Sequence, residues 1–236
     1  MEVKNTMKIK QQKTIFLLWS LFLMCCTGAW ASDADSLTMV RYDFSEPLGS
    51  EWEYIQEPVK ENYVIHDGML RLYSSVTSLK DESQPTFVGL RPDSTAFTIT
   101  TKIALADLLD GDETGLAVYQ APMGYAQCCF FNLKGDRRVR VRLVLKNLTT
   151  LVCDRSVGIP SAIWLRVQAI GRMYSFSYST DGKRYHWLDS IDKSLLRPVV
   201  VGQGNGILVG LYSYMGNPKT QAGRSFADYD EIEYLH

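Results

Sequence analysis

The stretch YSFSYSTDGKRYHWL, residues 174–188, places five aromatic residues and a histidine around an Asp-Gly pair. Aromatic residues and serines alternate before that pair, as expected of a strand whose two faces differ in polarity. The aromatic residues that share one face are Tyr174, Phe176 and Tyr178. Asp181-Gly182 is typical of a type I′ turn, in which both central residues take positive φ. The stretch predicts a β-hairpin whose aromatic side is core, leaving Tyr185 and Trp187 as open contacts.

Period-2 alternation continues along the chain from Leu37, and no sustained helical period interrupts it. RRVRVRLVLK, residues 137–146, alternates almost without fault between arginine and aliphatic residues. About a dozen such segments are separated by turn signals every 8–12 residues or so, which is typical of two packed sheets. We therefore predict an all-β fold over residues 37–236, a two-sheet sandwich, with one short helical turn at residues 194–199.

The first thirty-one residues have the organisation of a signal peptide. Four lysines precede an apolar run over residues 15–26, and Ala29-Trp30-Ala31 supplies the small residues that a signal peptidase needs. We expect cleavage after residue 31 and export to the periplasm or the extracellular space. A lipid-anchored form is the less favoured alternative, because Met24 and Cys25 precede the two candidate cysteines where a small residue is preferred.

Charge excludes one class of partner. Removing residues 1–31 takes away four lysines and Glu2, which changes the net charge from −1 to −4. A mildly acidic domain is a poor ligand for nucleic acid, whose binding needs clustered lysine and arginine. No later segment is apolar for the length that a membrane span requires, so we expect no membrane span.

Three cysteines remain after cleavage, and an odd number cannot form a fully paired disulfide framework. If residues 134–136 and 146–147 are hairpin turns, Cys153 lies about two strands from Cys129, roughly 9–10 Å away. Disulfides need Cα atoms within about 7 Å of each other. We therefore expect Cys128, Cys129 and Cys153 to be free thiols that pack as small apolar side chains.

Several stretches together resemble a known family. GLAVYQAPMGYAQCCF (115–130), YSFSYSTDGKRYHWL (174–188) and ILVGLYSYMGN…SFADYDEIEYL (207–235) fall in order and spacing like the concanavalin A-like sandwich at the C-terminus of family 43 β-xylosidases. The opening YDFSEPLGSEWEYI (42–55) and PTFVGLRPDSTAFTITTKI (85–103) are similar to the N-terminal third of that domain.

The resemblance covers about residues 40–235 but departs from the family in two ways. In those enzymes the sandwich follows a five-bladed propeller that carries the catalytic carboxylates, and this chain has no propeller. Gly89-Leu90-Arg91-Pro92 keeps at most one of a pair of arginines common in the family. The resemblance therefore implies that the all-β domain of residues 37–236 is a concanavalin A-like (jelly-roll) sandwich, an accessory domain standing alone. Its expected partner is an oligo- or polysaccharide, or a propeller-type glycoside hydrolase, and the hydrolase activity does not carry over.

Two sets of side chains could bind a carbohydrate. Three arginines share one face of a predicted strand, and Arg166 lies on a strand that could belong to the same sheet; guanidinium groups can donate pairs of hydrogen bonds to hydroxyls or to uronic acid carboxylates. Aromatic rings stack on the apolar faces of pyranose rings, and Trp164 has the same parity as Arg166. The candidate residues are Arg138, Arg140, Arg142, Trp164, Arg166, Tyr185 and Trp187. The alternative is a charged solvent face without a ligand. Three glycines at 202, 204 and 206 predict a flexible loop.

A catalytic alternative uses the acidic C-terminal strand. Glycoside hydrolysis needs two carboxyl groups roughly 5–9.5 Å apart across the scissile bond. On a regular strand Asp228 and Asp230 share one face and Glu231 and Glu233 the other, each pair about 6.5–7 Å apart. A small sandwich-fold hydrolase or lyase would use Asp228, Asp230 and Glu233.

A structural calcium ion is the last expectation. Calcium prefers carboxylate and carbonyl oxygens. The first and last strands of such a sandwich are usually neighbours, which could bring Asp43 close to Asp230. The expected ion would tie the termini together, and the sequence predicts no other cofactor.

Overall fold

Strands make up most of the chain from Thr38 to His236. The computed structural model describes residues 38–236 except 82 and 218–224, and it describes the backbone but not the side chain of Leu105. The predicted signal peptide, residues 1–31, lies outside the described residues. Within them, no helix is long and apolar enough to cross a bilayer.

The structure contains fifteen described strands, which we number β1 to β15. They are β1 Met39–Tyr42, β2 Trp52–Glu53, β3 Tyr63–His66, β4 Met69–Tyr73, β5 Thr86–Leu90, β6 Phe97–Asp107, β7 Glu113–Ala121, β8 Gly124–Leu133, β9 Asp136–Leu145, β10 Leu148–Ser156, β11 Ile163–Ile170, β12 Met173–Ser179, β13 His186–Asp192, β14 Leu208–Tyr214 and β15 Phe226–Leu235. Two 3₁₀ helices, Lys60–Asn62 and Lys193–Leu196, and one α-helical turn, α1 Pro198–Val201, complete them. The last two confirm the short helical turn predicted near residue 194.

The strands form two antiparallel sheets that face each other. The eight-stranded sheet has the order β13-β12-β11-β6-β15-β4-β3, and β1 pairs with the second half of β15. The seven-stranded sheet has the order β10-β9-β8-β7-β14-β5-β2. The prediction of an all-β, two-sheet sandwich is therefore confirmed.

The core lies between the two sheets and follows from the alternation in the sequence. On β11, Ile163, Leu165 and Val167 point inward and are almost completely buried, whereas the residues between them are only partly buried. On β9, Val139 and Val141 point inward in the same way. Burying each large apolar side chain contributes about 1.5–3 kcal/mol to stability, and this gain drives the sheets together.

A buried hydroxyl connects the two sheets across this core. The Tyr229 hydroxyl group of β15 lies 2.5 Å from the Thr114 hydroxyl oxygen of β7 and donates to the Tyr212 carbonyl oxygen at 3.1 Å. Burial raises the pKa of Tyr229. The hydroxyl is thus neutral, and it satisfies polar groups that would be costly to leave unpaired inside the sandwich.

The hairpin turns differ from the sequence prediction at one place. Asp67-Gly68 and Lys134-Gly135 both take positive φ and form two-residue turns of the I′ kind. Gly182 has a positive φ but Asp181 does not, so the predicted I′ turn at Asp181-Gly182 is wrong. Six residues, 180–185, connect β12 to β13, because Asp181 uses its side chain to cap a wider loop.

The three cysteines of the sandwich are free, as predicted. Cys129 lies on β8 and Cys153 on β10, with β9 between them. Burial and the nearby Glu113 carboxylate raise the pKa of Cys129 to about 12, and burial raises that of Cys128 as well. Because the thiolate is the reactive form, these two thiols are inert packing groups.

A second apolar cluster covers the outer face of the seven-stranded sheet. Rings and aliphatic side chains of β5, β7, β8, β9 and β14 meet there, and Ile55 and Leu79 from two connecting segments lie against them. The strand residues of this cluster are Phe87, Ala117, Tyr119, Tyr125, Cys129, Val144, Leu208 and Tyr212. The middle of this face is therefore closed to solvent, whereas the edge strand β10 is mostly exposed.

Candidate functional site

The predicted arginine row of β9 lies on the outer face of the seven-stranded sheet, and each arginine has an acidic partner. Arg138 donates to Asp154 at 2.6 Å and to Asp136 at 2.5 Å, and Arg140 donates to the other Asp154 oxygen at 2.9 Å. Arg140 also lies over the Phe131 ring, with 3.5 Å between its Cζ atom and the ring centroid. These arginines are engaged within the sheet.

Arg142 forms the most buried of these ion pairs. It donates to Glu113, whose carboxylate also accepts from the Tyr212 hydroxyl at 3.2 Å and lies 3.8 Å from the Cys129 sulfur. Burial lowers the pKa of Arg142, the Glu113 carboxylate raises it, and the net shift is upward. Arg142 is thus a fixed charge whose partner Glu113 contacts Tyr212 and Cys129 of the second apolar cluster.

The structure does not bring the arginine row together with Arg166. Strand β9 belongs to the seven-stranded sheet and β11 to the eight-stranded sheet, so the expectation of one shared sheet is wrong. Period-2 alternation predicts which side chains point outward, but it does not predict which of the two sheets a strand belongs to. The predicted residues therefore divide into two groups on different sheets.

On the eight-stranded sheet, outward side chains line up in register across six strands. Arg166 lies opposite Thr100 on one side and Ser177 on the other, and the pairing continues to both edges. The members in spatial order are Arg41, Glu233, Thr100, Arg166, Ser177 and Trp187. Adjacent strands are about 4.8 Å apart, so this transverse row extends roughly 24 Å.

The loop at residues 180–185 shapes the middle of this row. The Asp181 carboxylate accepts from the backbone N–H groups of Lys183 and Arg184, both at 2.8 Å, and these bonds lower its pKa to about 2. The loop then places Tyr185 beside Arg166, whose Cζ atom is 3.5 Å from the ring centroid. Gly182 covers the Trp164 ring so closely that an added Cβ would lie 3.0 Å from it.

Trp164 and Trp187 differ in their availability to a ligand. Trp164 lies beneath the loop, with the Lys102 ammonium nitrogen 5.6 Å from its ring centroid. Trp187 on β13 is 64% exposed, and its indole N–H donates to the Ser190 hydroxyl at 3.3 Å. Trp187 therefore offers the open ring face, and Tyr185 and Arg166 form the polar centre next to it.

The acidic C-terminal strand does not present the arrangement expected for catalysis. Two β-bulges next to Tyr229 disturb the alternation of β15, so Asp228 and Asp230 lie on the outer face with Glu231 and Glu233. The ion-pair partners of these acidic residues lie on the outer face, so the predicted division of the four carboxylates between two faces is wrong. Those partners are Arg71 for Asp228, Lys102 for Asp230 and Arg41 for Glu231.

The Asp228 carboxylate is held on both oxygens. Arg71 donates to them at 2.7 and 2.8 Å, and Asp228 is only 1% exposed. A buried carboxylate with both oxygens paired to one guanidinium is typical of a structural ion pair, whereas general acid–base catalysis needs a group that touches substrate. Glu233 is part of the transverse row on the outer face.

The calcium expectation rested on two carboxylates. Strands β1 and β15 are neighbours, as expected, with Tyr42 opposite Ile232. Asp43 accepts from the Ser45 backbone N–H and hydroxyl, and Asp230 accepts from Lys102. Among the described residues, no group of three or more His, Cys, Asp or Glu side chains could hold a metal ion. A calcium site at Asp43 and Asp230 remains an untested prediction.

A polar pocket at one end of the seven-stranded sheet was missed by sequence reasoning. The pocket encloses about 370 Å³, and we call it the amide pocket because four of its lining side chains are amides. Its polar side chains are Glu53, Gln56, Asp81, Gln120, Gln203 and Asn205, and its rings are Tyr54 and Tyr119. The three glycines of the 202–206 loop were the one local signal, because this loop forms a wall of the pocket.

Comparison with known proteins identifies the fold family. The model of the β-xylosidase C-terminal concanavalin A-like domain matches residues 41–235, nearly the whole described sandwich. The solved structure of the GH43 protein BlXynB from Bacillus licheniformis superimposes with a TM-score of 0.73 at 21% identity, covering 83% of this chain and 39% of that one.

Two curated relatives agree with this assignment. The non-reducing end α-L-arabinofuranosidase BoGH43B of Bacteroides ovatus is 25% identical over 201 residues, 83% of this chain and 37% of that protein. A putative β-xylosidase of Escherichia coli K12 is 23% identical over 219 residues, 88% of this chain and 38% of that protein. The chain thus spans less than two fifths of the length of either relative. It belongs to the family of C-terminal concanavalin A-like domains of β-xylosidases.

Proposed function

We propose that this chain is an exported, non-catalytic carbohydrate-associated module that binds a plant-type, xylan-like glycan through the transverse row. In this role it would serve as an accessory to a propeller-type glycoside hydrolase. The domain family, found in glycoside hydrolases, supports the general role. The row itself carries the proposal for binding.

The transverse row suits an extended chain of sugars. An exposed indole lies at one end, and the charged groups of Arg166, Glu233 and Arg41 lie along the rest, whereas Thr100 and Ser177 between them are buried. Because the row follows the inter-strand direction, its accessible groups are separated by one or two strand spacings of about 4.8 Å. Stacking on Trp187 and donation from Arg166 would together fix a chain lying across the sheet.

The choice of a xylan-like glycan follows from the relatives. Their names refer to arabinofuranoside and xyloside substrates. An accessory domain gains from binding the same polymer that its enzyme cleaves, since it raises the effective concentration of substrate.

The test is binding of the full chain to xylan, arabinoxylan and pectin by affinity electrophoresis. We expect retardation by a xylan-type polymer, and we expect Trp187→Ala to weaken it by about tenfold, a loss of about 1.4 kcal/mol. Leu148→Ala is the matched control, because Leu148 is 63% exposed but lies on β10 of the other sheet. Absence of binding to all three polymers would refute the glycan proposal.

The same preparation decides the catalytic alternative. We expect no sugar release from these polymers by the chain itself. Release that disappears in Asp228→Ala, Asp230→Ala or Glu233→Ala would replace the proposal with a sandwich-fold glycoside hydrolase.

A further inference from the structure

We infer that the amide pocket is a second binding site, for one neutral sugar residue such as a pentose or hexose at the end of a glycan. This inference extends the proposed carbohydrate role to a different surface, at one end of the seven-stranded sheet. Four observations carry it: the size of the pocket, an unpaired buried amide, the charge of the lining, and the rigidity of the walls.

Size limits the ligand. Pockets for small molecules usually enclose about 300–1,000 Å³, and this one encloses about 370 Å³, near the lower end of that range. Such a volume accommodates a single ring with its hydroxyl groups and not an extended oligosaccharide. The amide pocket therefore differs from the open transverse row in the length of chain it can hold.

Gln120 supplies the unpaired group. A β-bulge between Tyr119 and Ala121 interrupts the pairing of β7 with β8, and bulges of this kind redirect a side chain out of the regular alternation. Gln120 is only 3% exposed and lines the pocket, and its amide nitrogen makes no hydrogen bond. A buried donor without an acceptor is unusual in folded proteins, and a rotation of the amide toward the pocket would let a ligand oxygen satisfy it.

The charge of the lining selects the class of ligand. Among the described residues that line the pocket, two are carboxylates, four are amides, and none is a lysine, arginine or histidine. Carboxylates accept hydrogen bonds from hydroxyl groups, and amides both donate and accept. The Glu53 charge is paired with Arg91, and the Asp81 carboxylate repels a uronic acid or a phosphate. A neutral polyhydroxyl compound is thus the ligand that this set of groups fits.

The walls of the pocket are fixed before any ligand arrives. Arg91 donates to both Glu53 carboxylate oxygens at 2.8 and 2.6 Å and to the Asn205 carbonyl oxygen at 2.5 Å, which joins two walls that are distant in sequence. Gly204 approaches the Gln120 carbonyl oxygen so closely that no Cβ atom would fit between them. Preorganised walls reduce the ordering cost of binding.

The aromatic wall is equally constrained. Tyr119 lies between Phe87 and Tyr125, with ring centroids 5.9 Å from each. Its side chain borders the pocket together with that of Gln120. A sugar ring would thus meet one packed aromatic side chain and one buried amide, which is the usual combination of an apolar contact and a directed hydrogen bond in small-molecule sites.

The test is calorimetric titration of the full chain with D-xylose, L-arabinose, D-galactose and D-glucuronate. We expect at least one neutral sugar to bind and D-glucuronate to bind at least about tenfold more weakly. Gln120→Met, which keeps the side-chain volume and removes the amide, should weaken the neutral sugar at least about fivefold. It should also leave the melting temperature unchanged or higher, because it removes an unsatisfied donor.

Gln127→Met is the matched control, since Gln127 is 5% exposed on the adjacent β8 but does not line the pocket. It should leave sugar affinity unchanged. Failure of all neutral sugars to bind, or equal binding by D-glucuronate, would overturn the inference. So would affinity that survives Gln120→Met but is lost in Trp187→Ala, an outcome that leaves the proposed function intact.

Discussion

The two outer faces of the sandwich use similar residues in opposite ways. On the eight-stranded sheet, arginine, glutamate and tryptophan side chains of the transverse row lie near solvent, and Trp187 is largely exposed. On the seven-stranded sheet, Arg142 pairs with Glu113, which is buried against the second apolar cluster. Buried charged side chains stabilise the fold, whereas solvent-exposed ones are available to a ligand. The same residue types therefore carry different roles according to what lies over them.

Removing one partner of the covered pair should have the largest effect on stability. Glu113→Ala leaves the Arg142 guanidinium buried without its carboxylate, which costs about 3–5 kcal/mol in comparable buried pairs. The free energy of unfolding from urea denaturation measures this loss. The comparison pair is Arg41 and Glu231 on the open face, where Arg41 is mostly exposed.

Glu231→Ala should cost no more than about 1 kcal/mol, because exposed ion pairs contribute little. Equal losses for Glu113→Ala and Glu231→Ala would show that burial does not separate the two faces in the way described.

An intermediate effect on stability is expected on the outer face of the eight-stranded sheet. Asp228 is buried and pairs with Arg71 through both oxygens, whereas the Asp230 side chain is more than a third exposed and contacts Lys102. Asp228→Asn removes a charge-assisted pair and should cost about 1.5–3 kcal/mol. Asp230→Asn should cost less than about 1 kcal/mol. Thermal unfolding of both variants measures the difference, and a reversed order would contradict the structural role of Asp228.

The smallest expected effect is the response to low pH of the loop at residues 180–185, which covers Trp164. Backbone hydrogen bonds lower the Asp181 pKa from 3.8 to about 2 in the folded chain. The contribution of the ionised Asp181 carboxylate to folding stability is therefore fully present above the unfolded pKa and is lost as pH falls through about 2. We expect a change in tryptophan fluorescence between about pH 4 and pH 2 that is absent in Asp181→Asn. Identical profiles for the two proteins would argue against this anchoring.

Most of the fold could be predicted from the sequence because alternation has a direct physical cause. Successive side chains of a strand point to opposite faces, so the alternation alone assigns Val139 and Val141 to the core. The hairpin turn at Lys134-Gly135 was expected from turn chemistry in the same way. At Asp181-Gly182 that argument was wrong, since the aspartate side chain caps a wider loop in place of a tight turn.

The candidate sites were less accessible to prediction for a different reason. Alternation assigns a face but not a sheet, which is why Arg138 and Arg166 were expected together and are found on different sheets. Bulges change the parity of every residue beyond them, as at Tyr229 and Gln120, and they depend on the pairing partner. The amide pocket combines four separate segments of the chain, and no local pattern at Gln120 marks that meeting point.

The position of β15 has a consequence for the order in which the protein can fold. This strand lies between β6 on one side and β4 and β1 on the other, although it is made after all of them. Until β15 is synthesised, the two parts of the eight-stranded sheet have no strand to join them. The eight-stranded sheet therefore cannot be completed before β15 is made, and a chain that is exported as proposed would keep this sheet open for passage through a secretion channel until then.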